Sequence, residues 1–178
     1  STAKHFIISV ENLNDNKPQF TADVYTFNIL ENQNTSIVGQ VEAIDLDSIQ
    51  PVSYSITDNY GFFIIDATEA TLSITDNSAL DYERFQQFLI PVHASDGEFT
   101  TDAMVKINLI NINEAPTIDM VENQEIEEDA GQKEIILTGI SDGDVGKQTL
   151  TFDVQSSNQT LIPNPGIIYT QGSPTATL

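Results

Sequence analysis

The apolar residues of this chain recur with a period of two almost throughout. Phe6, Ile8 and Val10 form one alternating series, and Tyr25, Phe27 and Ile29 a second. Phe88, Ile90 and Val92 form a third, and Val105, Ile107 and Leu109 a fourth. Side chains of an extended strand point alternately to its two faces, so such series mark half-buried β-strands. Further strands are predicted over 37–44, 51–57, 61–66 and 70–75, with the turn clusters "TDN" at 57–59 and "SDG" at 95–97 between strands. "LDYERFQQF" at 80–88 has room for no more than one helical turn. Short strands at regular spacing, without an amphipathic helix, predict an all-β fold, a sandwich or a barrel.

The chain also repeats itself. "FIISVENLN" at 6–14 aligns with "VKINLININ" at 105–113, Pro18 with Pro116, and "DLD" at 45–47 with "DGD" at 142–144. Such near-constant separations describe tandem repeats of roughly a hundred residues, each enough for one sandwich. Residues 1–11 then read as the last strand of a preceding repeat, 12–18 as a linker, 19–111 as a complete repeat and 112–116 as a second linker. Residues 117–178 open another repeat and supply about four strands of it, an incomplete second sandwich. A half-sandwich exposes unpaired edges and a split core. Its remaining strands are expected beyond Leu178 or from a partner, failing which this portion is poorly ordered.

Composition narrows the function. Acidic residues outnumber basic ones 27 to 6, for a formal net charge of −21. Nucleic-acid binders present the opposite sign, so no nucleic-acid partner is expected, and anionic membrane surfaces are disfavoured. A solubilising acidic surface and a set of cation sites both account for such a charge. With no cysteine, disulfides, thiolate catalysis and cysteine zinc sites drop out. An extracellular chain without disulfides needs another staple, and bound metal is one. No apolar run nears the roughly 18 residues that cross a bilayer, and no signal peptide is visible, so targeting segments say nothing of the compartment. Nor is there a nucleophile elbow, zinc helix or phosphate loop, and paired carboxylates arise freely among so many acids; no enzyme is expected. His5 and His93 read as packing residues, and Tyr25, Phe27, Phe62 and Phe88 as core.

The acids gather at the repeat boundaries. Asn14, Asp15 and Asn16 stand in the first linker, and Asp45, Asp47 and Asp96 follow outgoing strands into loops. If those loops share one end of the sandwich, they meet the entering linker. Glu31, Asp81 and Glu83 would then fall at the opposite end, beside the leaving linker with Asn113 and Glu114, followed by Asp142 and Asp144. A D-x-D pair places both carboxylates on one face of an extended chain, where they can grip one ion.

This arrangement resembles the cadherin repeat family over residues 5–116, which implies a seven-stranded Greek-key β-sandwich. The family's linker reads D-x-N-D-N-x-P, and "NLNDNKP" at 12–18 keeps all but the first acid. The family's opening glutamate corresponds to Glu31, its D-x-D to "DLD" at 45–47, its L-D-R-E to "LDYE" at 80–83 and its A-x-D-G to "ASDG" at 94–97. "FFIIDATEATLSI" also looks like the family's middle strands. The segment from "EEDAGQKEI" to "NPGIIYT", 127–170, resembles bacterial Ig-like or cadherin-like tandem repeats.

The resemblance implies Ca²⁺ held between consecutive repeats, with 12–18 as a calcium-binding linker. One ion would take the Asn14 side chain, the Asn16 carbonyl and the Asp45, Asp47 and Asp96 carboxylates, completed by a carbonyl near Ile49. Six to eight hard oxygens suit calcium, while Mg²⁺ keeps its waters and prefers fewer carboxylates. Asp15 and the Leu13 carbonyl would face further ions whose other ligands belong to the preceding repeat, so the first cluster is expected to be incomplete. The second linker, "NINEAP", is one residue shorter and carries Glu114 where an aspartate is usual, a form similar to bacterial cadherin-like proteins. There Glu31, Asp81, Glu83, Glu114 and the Ile112 carbonyl would hold one or two ions, and Asn113, Asp142 and Asp144 another. "DGDVGK" opens like an EF-hand loop, but Gly146 and Lys147 occupy positions that need an acid or amide and then glycine.

The expected protein is therefore a calcium-rigidified module of a larger extracellular or cell-surface protein that supports calcium-dependent adhesion. Its partners would be neighbouring repeats, another copy of the protein or a surface polysaccharide; the absence of tryptophan closes, for this segment, the strand-exchange route of some animal cadherins. Two other functions stay open. One is calcium-dependent carbohydrate binding, with Tyr60, Phe62 and Tyr82 as candidate aromatics, and the other is a passive spacer.

Overall fold

The computed structural model describes residues 4–32, 34, 36–47, 50–144 and 148–178. It divides into two compact units, one running to Ile112 and the other covering Asn113–Leu178. Among the described residues no helix is long and apolar enough to cross a membrane.

The first unit is a β-sandwich built by alternation. One sheet has four strands: β2 (Val24–Leu30), β5 (Ser53–Ile56), β8 (Gln87–Ser95) and β9 (Thr100–Ile110), in the order β2-β9-β8-β5. The other has three: β3 (Ile37–Gln40), β6 (Phe63–Ile65) and β7 (Thr71–Ile74), in the order β3-β7-β6. The chain crosses repeatedly between the sheets, giving the Greek-key order. A small ladder of β1 (Gln19–Phe20) with β4 (Ala43–Ile44) flanks them. Alternate residues of β8, Phe88, Ile90, Val92 and Ala94, are fully buried, as are Val105 and Ile107 of β9. They meet Phe63, Leu72 and Ile74 from the facing sheet in one core. A buried side chain of this size contributes about 1.5–3 kcal/mol, so these rows supply most of the driving force.

Two directions fix what lies at each end. β2 runs parallel to β9, with Val24 opposite Met104 and Leu30 opposite Ile110, so the exits of both strands share one end. β8 runs antiparallel to β9, with Gln87 opposite Asn108 and Ser95 opposite Thr100. Hence β8 starts at that same end and finishes at the other.

Some predicted strands differ from the observed ones. Phe6, Ile7, Ile8 and Val10 alternate in part but lie exposed and form no strand. An alternating sequence becomes a strand only beside a ladder partner, and none stands next to it among the described residues. The strand predicted over 37–44 is broken at Val41 and Glu42, where the Val41 amide donates to Ala70 O (3.1 Å) and the chain turns from the three-stranded sheet to β1. A 3₁₀ turn, Asn77–Ala79, capped by Asp76, was not legible in the periodicity.

The second unit carries β10 (Ile136–Leu137), β11 (Ile168–Tyr169) and β12 (Ala176–Thr177) in the order β10-β12-β11. Its last strand sits in the middle, as β7 does between β3 and β6. Leu137, Ile140 and Ala176 form a small core; Phe152 and Tyr169 pack against it and meet each other edge to face at 4.9 Å. Residues 150–154 keep alternating burial yet form no strand. Their counterpart β5 is held by β8 through four register pairs, and no such strand stands beside 150–154 among the described residues.

Candidate metal centre

At the entering end, the first linker folds onto the "DLD" loop. The Asp47 carboxylate receives the amides of Asp15 (2.9 Å) and Asn16 (2.5 Å) on Oδ2 and the Asn16 side-chain amide on Oδ1 (2.7 Å). The Asn12 side chain donates to the Asp47 carbonyl. Asp15 N also donates to Leu13 O (3.1 Å), and Asp15 Oδ1 accepts from the Asn16 side chain (2.9 Å), so the linker is curled tightly. Asp45 Oδ1 caps the Asp47 amide (2.8 Å). Asp96 follows β8, and its Oδ1 accepts from Glu98 N (2.8 Å) and Phe99 N (2.7 Å) across the turn at Gly97, whose φ is +97°. Thr101 Oγ1 donates to Pro18 O (2.8 Å), tying the linker to the start of β9.

Asp47 and Asp96 are nearly inaccessible, at 4% and 3% exposure. The Asn16 side-chain amide, with the Asn16 and Asp15 backbone amides, holds Asp47 below the ordinary carboxylate value despite its burial. Burial pushes Asp96 up, but the Phe99 and Glu98 amides and the Asn14 side chain outweigh it and leave that group lowered too. Both therefore carry charge where charge is costly. Asp96 Oδ2 is buried without a hydrogen-bond partner of normal geometry, an acceptor a cation could satisfy. Among the described residues the Asp45, Asp47 and Asp96 carboxylates do not converge within 4.8 Å of one another. Local amides take up most of their oxygens instead. Ile49 lies outside the described residues.

At the leaving end, the parallel pairing of β2 and β9 brings Glu31 against the chain leaving β9. Glu31 N donates to Ile110 O (3.1 Å), and Glu31 Oε1 accepts from Ile112 N (2.7 Å). Glu31 Oε2 accepts from Tyr82 N (2.6 Å), which pulls in the turn before β8. Glu83 Oε1 accepts from the Asn111 side chain (2.9 Å), and Asp81 Oδ1 from Arg84 N (2.9 Å). The result is a carboxylate oxygen from each of Glu31, Asp81 and Glu83 within 4.8 Å of the others, with Glu31 entirely buried. Three like charges this close repel strongly in a partly desolvated site. The donors are all hard oxygens, the chemistry calcium takes, with no histidine or thiolate among them.

In the second unit Asp142 and Asp144 are buried. Asp142 Oδ1 accepts from Asp144 N (3.3 Å) and its Oδ2 from Gln148 N (3.1 Å), while the Gln148 side-chain amide donates to Asp144 Oδ2. Gly143, at φ +83°, lies so close to Glu114 that an added Cβ would sit 2.6 Å from the Glu114 Cβ. The Asn113 side chain donates to Glu114 O (3.4 Å). Residues 145–147, which complete the rejected EF-hand-like stretch, lie outside the described residues. Sequence reasoning missed Gln148, Tyr82 and Asn111 as holders of these acids: Tyr82 and Gln148 act through backbone amides, which carry no motif, and the side-chain amides of Asn111 and Gln148 stand outside the recognised motifs. Asn12, the position where the linker lacks its first acid, does carry a signal: an amide there binds the loop that an aspartate could not.

The family model for the cadherin domain matches residues 25–113. The chain belongs to the cadherin family. Mouse cadherin-related family member 2 is 27% identical over 93% of this chain, which spans 14% of that protein. The Drosophila melanogaster protocadherin-like wing polarity protein stan is 30% identical over 96% of the chain and 5% of its own length. Among solved structures, the PcdhgB3 EC1-4 fragment superposes with a TM-score of 0.62 at 26% identity, over 94% of this chain and 41% of that one. Both sequence relatives are animal cadherins, and their alignments run on through the segment whose sequence resembles bacterial repeats. As a cadherin, the chain is part of a tandem-repeat adhesion family and not of an enzyme family.

Phe62, a candidate for a sugar platform, is buried in the sandwich core, and Tyr82 packs against that core. Tyr60 stacks edge to face on Phe88 at 5.1 Å. His93 bonds Asp102 (2.6 Å) and Thr57 (3.3 Å) on the outer face of the four-stranded sheet.

Proposed function

We propose that this cadherin segment binds Ca²⁺ at both ends of its first repeat and thereby stiffens the junctions with neighbouring repeats of a larger extracellular or cell-surface adhesion protein. The observation that carries the reading is the convergence of Glu31, Asp81 and Glu83 within 4.8 Å, Glu31 being fully buried. Without a cation, that cluster stores repulsion that opposes closure of the linker. With one, the same oxygens share a positive charge and the linker is fixed. Ile112 O and Glu114 would add ligands at the leaving end, and Asn113, Asp142 and Asp144 would serve a further ion. At the entering end Leu13 O, Asn14, Asp15, Asn16 O, Asp45, Asp47 and Asp96 would serve, with the Asp47 amide bonds giving way to metal bonds.

Family membership supports adhesion through a second copy of the chain as part of this reading. Isothermal titration with Ca²⁺ and with Mg²⁺ tests the binding. Saturable calcium heat that Mg²⁺ does not reproduce is expected; equal or absent heats contradict it. Aggregation of beads coated with the chain, in calcium but not in chelator, tests adhesion, and dispersed beads in both contradict that part.

A further inference from the structure

We propose that a cavity of about 420 Å³ on the first repeat binds a neutral saccharide unit. Val41 and Ala70 lie beneath it, 2% and 3% exposed and joined by a backbone hydrogen bond of 3.1 Å, so the surface it offers is mainly polar. Half-buried Tyr25 and exposed Gln40, Glu42, Thr68 and Glu69 line it, while Tyr54 is buried in the core. A volume of this size falls in the range of small-ligand pockets.

The walls are fixed before any ligand arrives. The Tyr25 hydroxyl donates to Glu42 O (2.7 Å) and bonds Thr21 Oγ1 (2.9 Å). The Tyr54 hydroxyl bonds the Ala43 backbone (3.0 Å to N). Gln40 Nε2 donates to Glu69 O (2.6 Å), which leaves its Oε1 as an acceptor. The 66–70 turn is clamped by Asp66 Oδ1, which accepts from Thr68 N, Thr68 Oγ1 and Glu69 N, each at 2.8 Å. Ala70 closes that turn at φ +54°, a left-handed conformation that glycine adopts at lower cost. Strained backbone of this kind concentrates at ligand sites, and fixed walls reduce the entropy lost on binding.

The lining selects the ligand. No hydrogen bond or ion pair among the described residues engages the Glu42 or Glu69 carboxylate. Carboxylates and an amide oxygen want hydroxyl donors. The half-buried Tyr25 ring suits the C–H face of a pyranose. No cationic side chain lines the cavity, and the chain carries a net charge of −21, so acidic sugars are repelled. None of the proposed calcium ligands belongs to the cavity, so this inference stands apart from the calcium reading.

The test is titration of the ¹⁵N-labelled 178-residue chain with methyl glucoside, methyl galactoside and N-acetylglucosamine, in calcium and in chelator. At least one sugar should shift amides at 40–42 and 67–70 saturably in the millimolar range, equally in both conditions. Glu42→Gln/Glu69→Gln, folded by its amide dispersion, should bind about tenfold more weakly. Absence of saturable shifts at those amides with all three sugars overturns the proposal. So does binding lost in chelator, or binding unchanged in the double variant.

Discussion

Glu31 shows how much one side chain does. It is buried, accepts two backbone amides from different segments, and lies beside two other carboxylates. Glu31→Gln keeps the size but replaces one acceptor oxygen with a donor, setting NH₂ against a backbone N–H. Loss of such a bond costs about 1–3 kcal/mol. Chemical denaturation in chelator should show that loss, and calorimetry should show calcium affinity reduced by about tenfold or more, since ligand charge sets affinity. Asp81→Asn separates the two effects: it keeps an oxygen for Arg84 N and removes one repelling charge. It should be no less stable than the parent in chelator yet gain less from calcium. A large loss of stability in chelator would show that Asp81 acts structurally. Gly39 is a packing counterpart. An added Cβ would stand 2.1 Å from the Phe27 ring, so Gly39→Ala should destabilise the first repeat by about 1–3 kcal/mol in urea unfolding.

At the scale of elements, β8 and β9 were legible because each pairs along its whole length and alternates without interruption. The break between β3 and β4 was not legible, because the apolar pattern runs through Val41 while the backbone changes partner. The 6–10 series shows the opposite limit: alternation is a property of the chain, whereas a strand is a property of a pair. The acids were legible through their spacing, and the parallel β2–β9 register explains why Glu31 reaches Ile112. What spacing could not reveal is that amides, above all those binding Asp47, occupy the entering acids.

The 66–70 turn gives an element-scale test. The Glu69 and Thr68 amides and the Thr68 hydroxyl hold Asp66 below its ordinary value of 3.8. A carboxylate lowered by folding contributes stability that is fully present above the unfolded value and is lost as the pH falls through the folded one. Asp66→Asn should therefore be less stable than the parent at neutral pH, and the gap should narrow below pH 3.8. Urea midpoints measured across that range check it; a gap independent of pH would contradict it.

For the whole molecule, the repeated three-stranded order, β3-β7-β6 and β10-β12-β11, matches the tandem pattern of the sequence without any helix to signal it. With a charge of −21, repulsion among acids opposes the compact native state. A ligand that binds only the native state stabilises it by about 2.7 kcal/mol at a hundred times its Kd. The most direct test of the central claim is the melting temperature of this chain with millimolar Ca²⁺ and then with excess chelator. A rise of several degrees that the chelator reverses and that Glu31→Gln largely abolishes is the predicted result; identical melting curves in calcium and in chelator would contradict the account.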